Sequence, residues 1–315
     1  MRAILPRIMF AAPTSGSGKT TITCAILKAL LNIGTIPAAF KCGPDYIDPM
    51  FHSEVIGAKS RNLDLFMLSE DVCRYLLVKN STAAQIAVLE GVMGFYDGLG
   101  GNSSTASSYH LAKATDTPVV LIVNCKGASL SMAALIEGFV KFRPDSGIKG
   151  IILNNLAGSM YPLYKEMIEK ETGLKVIGYF PNLKECSLES RHLGLITAAE
   201  VGDLENKIEI LAEQVRKSID LKALMDIAES AVEIEYPEYV FQKNADITIA
   251  VAKDRAFCFY YQDSLELLEK MGAKLCYFSP LRDEEIPVCD GLLLGGGYPE
   301  LYAKELSGNP KMLAS

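Results

Sequence analysis

Apolar and polar positions follow one another along this chain in a way that predicts strands and helices in regular alternation. Short, nearly uninterrupted apolar runs predict strands buried on both faces, and most are followed by stretches with helical spacing of apolar residues. In the first two thirds of the chain the predicted strands are 8–12, 36–41, 86–89, 118–124, 150–155 and 175–180. This alternation predicts an α/β fold, with a parallel sheet covered by helices on both faces and ligands at the carboxyl ends of its strands.

A second alternation of the same kind occupies the last part of the chain. It follows a helical pattern at 204–231 and a charged, aromatic stretch that contains one proline. Its predicted strands are 247–252, 274–278 and 291–294, and the third leads into a Gly-Gly-Gly-Tyr-Pro-Glu sequence. We therefore predict a first domain at 1–232, a linker at 233–245 and the front of a second α/β domain at 246–315.

The first predicted strand enters a loop that predicts nucleotide binding. The loop and the start of the following helix contain Gly16, Ser17, Gly18, Lys19, Thr20 and Thr21. Such a loop can turn its backbone N–H groups inward around an anion, and the helix N-terminus adds a partial positive charge. Lys19 can reach the terminal phosphates of ATP, and the Thr20 hydroxyl can ligate Mg²⁺. The strict motif has glycine where this chain has Pro13, but the strand and helix on either side support the prediction.

Charged side chains follow two further predicted strands, at what would be the same edge of the sheet. A phosphoryl-transfer site needs positive groups for the phosphates and carboxylates for Mg²⁺. We predict Lys41, Asp45, Asp48 and Glu90 as catalytic residues, with Thr20, Asp48 and Glu90 as the metal ligands. The alternatives are turn formation beside the neighbouring prolines for the two aspartates, and a capping role for Glu90.

Two other groups of polar residues are candidates for substrate binding. Ser104 and Thr105 precede a predicted helix, where they could bind a substrate carboxylate or simply cap the helix. Arg191 and His192 lie in a polar loop and could hold an anionic substrate, although Arg191 could instead pair with a nearby acid.

Composition excludes several classes of function and location. The net charge of −7, without a cluster of basic residues, argues against a nucleic-acid partner. No apolar stretch approaches the roughly 20 residues that span a bilayer, and the first strand begins too early for a signal peptide. The eight cysteines show no CxxC spacing, and only three histidines are present. Reduced, buried cysteines of a cytoplasmic protein are therefore expected, rather than a disulfide framework or a zinc site.

Five motifs of this chain occur together in one enzyme family. They lie at 16–21, 41–49, 90–94, 190–195 and 294–300. On these motifs the chain resembles the cobyrinate a,c-diamide synthases from its first strand to its last residue. Its N-terminal part also resembles the dethiobiotin-synthetase-like group of phosphate-loop enzymes. The resemblance implies ATP-dependent activation of the a and c acetate groups of a tetrapyrrole as acyl phosphates, which ammonia released from glutamine then converts to amides.

The resemblance also implies roles for individual residues. Lys41 would steady the transferred phosphoryl group, while Tyr46 and Ile47 would face the ring and help to select the carboxylate. Asn154 or Asn155 would lie at the adenine. From the sequence alone, these two asparagines end a buried strand at the edge of the sheet, where a turn role is the alternative.

The end of the chain departs from the family pattern. The second domain of the family is a class I glutaminase, whose nucleophilic cysteine and later histidine follow the glycine-rich loop. This chain ends at Ser315, before either position. We therefore expect the chain as given to be cut short within the glutaminase domain, to lack glutamine hydrolysis and to use free ammonia. An unfinished sheet edge would also lower its solubility.

Several alternatives remain at this stage. Cobyrinate, hydrogenobyrinate and nickel sirohydrochlorin carry the same pair of acetates, and no residue separates them. A dethiobiotin synthetase is disfavoured by the additional C-terminal domain. A partner-regulated ATPase switch of the partitioning type is disfavoured because its signature lysine is replaced here by Thr14. A homodimer is left open.

Overall fold

The computed structural model describes residues 1–183, 186, 198–243 and 246–315, without the side chains of 198–202. The described residues form two compact units, one ending at residue 238 and the other beginning at residue 239. Within these ranges, no helix combines the length and the apolar character that crossing a membrane requires.

The first unit alternates strands and helices. Its elements are β1 (Arg2–Ala3), β2 (Arg7–Ala11), α1 (Lys19–Asn32), β3 (Pro37–Cys42), α2 (Ile47–Phe51), β4 (Ser60–Leu63), α3 (Glu70–Asn80), β5 (Ile86–Glu90), α4 (Ser108–Ala114), β6 (Val119–Asn124), α5 (Ser131–Phe142), β7 (Ile148–Asn154), α6 (Tyr161–Thr172), β8 (Lys175–Phe180), α7 (Ala198–Ser218), α8 (Leu221–Glu229) and β9 (Ile234–Glu235). A π-helical turn, His52–Ile56, continues α2. The short strands β1 and β9 pair antiparallel, so part of the segment predicted as a linker belongs to this unit.

Seven of these strands form one parallel sheet in the order β4-β3-β5-β2-β6-β7-β8. Every residue of β2 and β5 is buried, as expected for strands covered on both faces. The register places Lys41 of β3 opposite Glu90 of β5, and Phe10 of β2 opposite Glu90 on the other side. The carboxyl ends of three neighbouring strands therefore meet at one point, and the predicted parallel α/β sheet is confirmed.

Alternate strand residues pack against different sets of helices. Met9, Phe40 and Leu89 belong to the same core cluster as the buried side chains of α3, α4, α5 and α6. Their neighbours Ile8 and Val88 are equally buried. Helices α1, α7 and α8 contact the sheet, and α1 also contacts α7, without joining that cluster. Helices therefore cover both faces, which leaves the strand ends as the place for ligands.

The structure corrects the element boundaries at three places. Strand β4 has the sequence Ser-Arg-Asn-Leu and was missed because an edge strand of this composition contains no apolar run. The sequence predicts no helix where α2 and its π-helical turn lie. The single helix predicted at 204–231 is two helices, because the chain turns at Asp220, whose side chain accepts the N–H of Ala223.

The second unit contains the strand and helix pattern that its sequence predicts. Its elements are β10 (Ile247–Ala252), β11 (Phe257–Phe259), α9 (Gln262–Lys270), β12 (Ala273–Phe278), β13 (Gly291–Leu293), β14 (Gly296–Gly297), α10 (Ala303–Ser307) and α11 (Pro310–Ala314). Strands β12, β10 and β13 form a parallel sheet in that order, and β11 pairs antiparallel with β14.

Candidate active site

The glycine-rich loop between β2 and α1 is held in place by its own side chains and by β7. Gly16 and Gly18 adopt φ angles of 74° and 93°, which favour glycine. The Ser17 hydroxyl donates to the Thr14 carbonyl at 2.9 Å. The Asn154 amide donates to the Ser17 carbonyl at 2.8 Å, and a Cβ at Gly18 would lie 2.2 Å from that amide nitrogen. Asn154 therefore supports the loop directly, and only glycine fits beneath it.

The first turn of α1 connects this loop to the segment after β5. Lys19 is almost fully buried, and its ammonium donates to the Met93 carbonyl at 2.5 Å. Met93 has a φ of 49°, an uncommon conformation for a residue with a side chain. The Thr20 hydroxyl donates to Glu90 Oε1 at 2.5 Å, and Thr21 follows half-buried in the same turn. The loop and the end of β5 are thus in direct contact.

Lys41 lies at the centre of a buried group of charges. Its Nζ atom is 2.8 Å from Glu90 Oε1, 2.5 Å from Asp48 Oδ2 and 3.6 Å from Asp45 Oδ2. The side chains of Lys41 and Glu90 are 5% and 0% exposed, so water screens this pair little. The structure thus brings together all four residues predicted to be catalytic, and one cation is shared by three carboxylates.

The pKa values of this cluster reflect burial and close charges acting together. Burial lowers the pKa of Lys41, but Glu90, Asp48 and Asp45 outweigh it and raise that pKa well above its usual value. Burial would raise the pKa of Glu90, and the opposing charge of Lys41 together with His52 brings it well below its usual value. Burial and the charge of Glu90 raise the pKa of Asp48 to about 6. Lys41 and Glu90 are therefore charged at neutral pH.

A short turn places the two aspartates beside Lys41. Asp45 Oδ1 accepts the backbone N–H groups of Ile47 and Asp48 at 3.0 and 3.1 Å and so starts α2. The Asn62 amide donates to the carbonyls of Gly43 and Asp45 at 3.1 and 2.6 Å. The turn role that the sequence left open for Asp45 is therefore present, in addition to its approach to the ammonium. Asp48 instead lies within the helix.

His52 was not predicted as part of the site. It is fully buried, with Nε2 3.3 Å from Glu90 Oε2 and Nδ1 3.2 Å from the Ser60 hydroxyl. In the sequence it is an isolated histidine. The signal that could have identified it is its spacing of four residues after Asp48, which places both residues on one side of a helix.

The remaining predicted residues have varied surroundings. Tyr46 and Ile47 are half-buried at the start of α2. The Asn155 amide donates to Asn124 Oδ1 at 3.0 Å, and a φ of 57° places Asn155 in a turn. Arg191 and His192 lie outside the described residues.

The predicted position of Ser104 and Thr105 at a helix N-terminus is wrong. Helix α4 begins at Ser108, and its cap is Ser107, whose hydroxyl accepts the N–H of His110 at 3.1 Å. Thr105 instead bonds to Ser103, and the Ser104 carbonyl accepts the Ser107 hydroxyl. Five hydroxyl residues lie between positions 103 and 108 and made the cap ambiguous, and Ser107 fills that position.

The donor set around Glu90 fits Mg²⁺ held jointly by protein and nucleotide. Within the described ranges, no three His, Cys, Asp or Glu side chains are arranged to hold a metal by themselves. The Thr20 hydroxyl and the carboxylates of Asp48 and Glu90 nevertheless meet around Lys41. Mg²⁺ prefers this combination of one or two carboxylates, a hydroxyl and substrate phosphates.

Comparisons with known proteins match both parts of this chain. Residues 8–196 match the CobQ/CobB/MinD/ParA nucleotide binding domain, and residues 248–315 match the CobB/CobQ-like glutamine amidotransferase domain. The cobyrinate a,c-diamide synthase of Fusobacterium nucleatum is 43% identical over 98% of this chain and 70% of its own length. The chain belongs to the cobyrinate a,c-diamide synthase family. The resemblance seen in its five motifs is therefore confirmed.

Other members of the cobyrinate a,c-diamide synthase family match to a similar extent. The synthase of Clostridium tetani is 44% identical over 98% of this chain and 69% of its own length. That of Listeria innocua is 42% identical over the same shares of both chains. Among solved structures, the MinD cell division protein of Aquifex aeolicus covers 74% of this chain and 99% of its own, at 17% identity and a TM-score of 0.42. That score is too low to carry an argument.

Proposed function

We propose that this chain catalyses the ATP-dependent amidation of the a and c acetate groups of a cobyrinate-type tetrapyrrole through acyl-phosphate intermediates. The observation that carries the proposal is the buried Lys41, held by Glu90 and Asp48 at the carboxyl ends of the strands next to the glycine-rich loop. A positive group that is kept charged beside a phosphate loop is what transfer of a phosphoryl group to an anionic acceptor requires.

The first step needs charge neutralisation more than proton transfer. A substrate carboxylate is already an anion, so its oxygen can attack the γ-phosphorus of ATP without a general base. The bond from that phosphorus to the β,γ-bridging oxygen breaks, and ADP leaves. Both partners are negative, and Lys41 and Lys19 can offset the repulsion that would otherwise keep them apart.

The acidic residues keep Lys41 available for this role. Because Glu90 and Asp48 raise its pKa, the ammonium does not lose its proton in the buried site. Incoming phosphate oxygens can then compete with these carboxylates for the same N–H donors. Thr20, Asp48 and Glu90 would hold Mg²⁺, which supplies further neutralisation of the phosphate oxygens when it is bound.

The second step forms the amide. The nitrogen of ammonia attacks the carbonyl carbon of the acyl phosphate, phosphate leaves with the former carboxylate oxygen, and the added nitrogen loses a proton. The protein has to hold the mixed anhydride in place and keep water away from it. In the full reaction, the ammonia would come from glutamine, in keeping with the match of residues 248–315 to an amidotransferase domain.

Mass spectrometry of products tests the proposal. The chain is incubated with Mg-ATP, ammonium and, in parallel, cobyrinic acid or nickel sirohydrochlorin. Replacement of two carboxyl OH groups by NH₂ in cobyrinic acid is the expected result. Amidation of the nickel ring alone would overturn the choice of substrate, and ATP binding without amidation of either ring would contradict the proposal.

A matched pair of lysine variants connects the result to the site. Lys41→Met is expected to lower kcat/KM for amidation by about 100-fold or more, the effect of removing one preorganised donor. The control is Lys28→Met on α1, where the lysine pairs with Glu209 2.9 Å away and lies outside the cluster. Equal activity of the two variants would show that the Lys41 ammonium has no part in the reaction.

A further inference from the structure

His52 is a fully buried, titratable side chain for which the proposed reaction has so far no use. It begins the π-helical turn that continues α2, and such turns recur at functional sites. One ring nitrogen faces Glu90 Oε2 at 3.3 Å, and the other faces the Ser60 hydroxyl at 3.2 Å. The imidazole therefore bridges the edge strand β4 and the carboxylate at the end of β5.

Two facing atoms in this arrangement lack good hydrogen bonds. Among the described residues, His52 Nε2 and Glu90 Oε2 are both buried, and neither has a hydrogen bond of acceptable geometry. They are nevertheless a potential donor and an acceptor. Leaving either atom unsatisfied is costly, and a small rotation of the ring or the carboxylate would join them.

The surroundings of the ring determine which nitrogen carries the proton. If Nδ1 carried the only proton, the lone pair of Nε2 would face a carboxylate oxygen inside the protein, which is unfavourable. If Nε2 carries it, His52 donates to Glu90 and Nδ1 accepts from the Ser60 hydroxyl. The second arrangement satisfies all three side chains.

The two oxygens of Glu90 are then divided between two tasks. Oε1 accepts from Thr20 and Lys41 at 2.5 and 2.8 Å, while Oε2 faces only His52 among these partners. We propose that His52 is a positioning residue, whose Nε2–H fixes Glu90 Oε2 so that Oε1 stays directed at Thr20 and Lys41. The importance of this role for the reaction rests on the proposed function, in which Oε1 is the oxygen that would bind Mg²⁺.

The position of the proton gives a test that does not depend on activity. The chain contains only three histidines, so ¹⁵N spectra of histidine-labelled protein can be assigned with His52→Gln and His110→Gln variants. We expect the neutral imidazole of His52 to carry its proton on Nε2 in the wild-type chain, and Ser60→Ala to yield a mixture of tautomers. A proton on Nδ1 alone in the wild type would overturn the proposal.

Variants test the effect on Glu90. His52→Leu is expected to raise the Mg²⁺ concentration for half-maximal binding of a fluorescent ATP analogue by about 10- to 100-fold, as for other residues that orient metal ligands. His52→Gln should recover most of this loss because its amide can donate from a similar position. Ser60→Ala should raise this Mg²⁺ concentration about fivefold, the effect of losing one hydrogen bond.

The control separates positioning from mere packing. His110 is half-buried and contacts Glu70 on α3, so His110→Leu should leave the Mg²⁺ midpoint unchanged. Thermal unfolding is recorded for every variant. If His52→Leu and His52→Gln are equally destabilised and neither shifts the Mg²⁺ midpoint, His52 is only a packing residue. If the wild type binds Mg-ATP but amidates no ring, the proposed function fails, while the midpoints still decide the role of His52.

Discussion

The two ends of the main sheet each bury a cation, but they satisfy it in opposite ways. At the amino end of β2, Arg7 is fully buried and donates to the backbone carbonyls of Leu5, Thr115, Asp116 and Val232. At the carboxyl end of β3, Lys41 is almost as deeply buried, but its partners are the carboxylates of Glu90, Asp48 and Asp45.

The pKa values of Arg7 and Lys41 are shifted in opposite directions. Burial lowers the pKa of Arg7 to about 10, because neutral carbonyls offset only part of the lost hydration and Asp116 adds little. For Lys41 the surrounding carboxylates outweigh burial, and the pKa is raised. Carbonyl partners thus hold a cation in place but leave its pKa lowered, whereas ionised partners raise its pKa and keep it charged.

The comparison indicates which end can take part in chemistry. Most N–H donors of Arg7 bond to backbone carbonyls, which cannot move away unless the protein unfolds. This end of the sheet is therefore structural. The partners of Lys41 are side chains on two different segments, and phosphate or metal can replace them one at a time.

Arg7→Met should destabilise the fold by about 4 kcal/mol, since four carbonyls lose a charged donor. Urea unfolding measures the loss, with Arg2→Met as the control, because Arg2 forms only exposed ion pairs worth less than about 1 kcal/mol. The folded fraction of the Arg7 variant should still bind Mg-ATP normally. A large change in nucleotide affinity would contradict the division between the two ends.

Lys41→Met should cost about 3 kcal/mol of stability at pH 7, because it leaves the buried carboxylate of Glu90 and the partly buried carboxylate of Asp48 without their cation. Adding Asp48→Asn to this variant should restore at least about 1 kcal/mol while amidation stays lost. Urea unfolding and product assays on the single and double variants measure both quantities. If the double variant were no more stable than the single one, the two residues would not be coupled as their distance implies.

Asp48 should make the wild-type chain less stable as the pH rises through its titration range. Its pKa is raised from 3.8 to about 6, so the folded state binds the proton more tightly than the unfolded state. The stability from this group is complete below pH 3.8 and is lost as the pH rises to about 6.

The size of the loss is on the order of 2–3 kcal/mol, and Asp48→Asn removes it. The measurement is the difference between wild-type and variant unfolding free energies from pH 4 to pH 7. The pH dependence of the contribution of Glu90 to stability has the opposite sign. Its pKa lies below the usual 4.5, so its contribution is lost only as the pH falls below that value. A difference that does not depend on pH would contradict the assignment for Asp48.

Asn62→Ala should destabilise the fold by about 2 kcal/mol, because the carbonyls of Gly43 and Asp45 lose the amide that joins them. The loop that carries the acidic residues would loosen, and kcat/KM for amidation should fall about tenfold. The exposed Asn32→Ala is the control. Loss of stability without loss of activity would mean that the loop is held by other contacts.

Much of this architecture could be predicted from the sequence because buried parallel strands leave long apolar runs. Lys41, Asp48 and Glu90 could be expected to meet, since two of them end parallel strands and the third follows closely in the chain. Strand β4 could not be predicted, because it contains no apolar run. The side chains of Ser60 and Asn62 form hydrogen bonds with residues that lie elsewhere in the sequence. His52 was missed because its partners also lie elsewhere in the sequence.

The boundary between α7 and α8 shows a second limit of sequence patterns. The apolar spacing runs on through residues 204–231, and the local sequence contains no glycine or proline between the two helices. The turn depends on β8, where the Asp220 N–H donates to the Ile177 carbonyl at 2.8 Å. A Cβ at Gly178 would lie 2.5 Å from the Ser218 carbonyl, so a distant glycine permits the close approach.

Following the carboxylate oxygen atoms tests whether the lysine and carboxylate cluster serves phosphoryl transfer to a carboxylate. Cobyrinic acid labelled with ¹⁸O in its carboxyl groups is incubated with the chain, Mg-ATP and ammonium, and the released phosphate is analysed by mass spectrometry. We predict ADP as the nucleotide product and one ¹⁸O atom in phosphate for each amide formed. Amide formation with unlabelled phosphate, or with AMP and pyrophosphate as products, would contradict this role of the cluster.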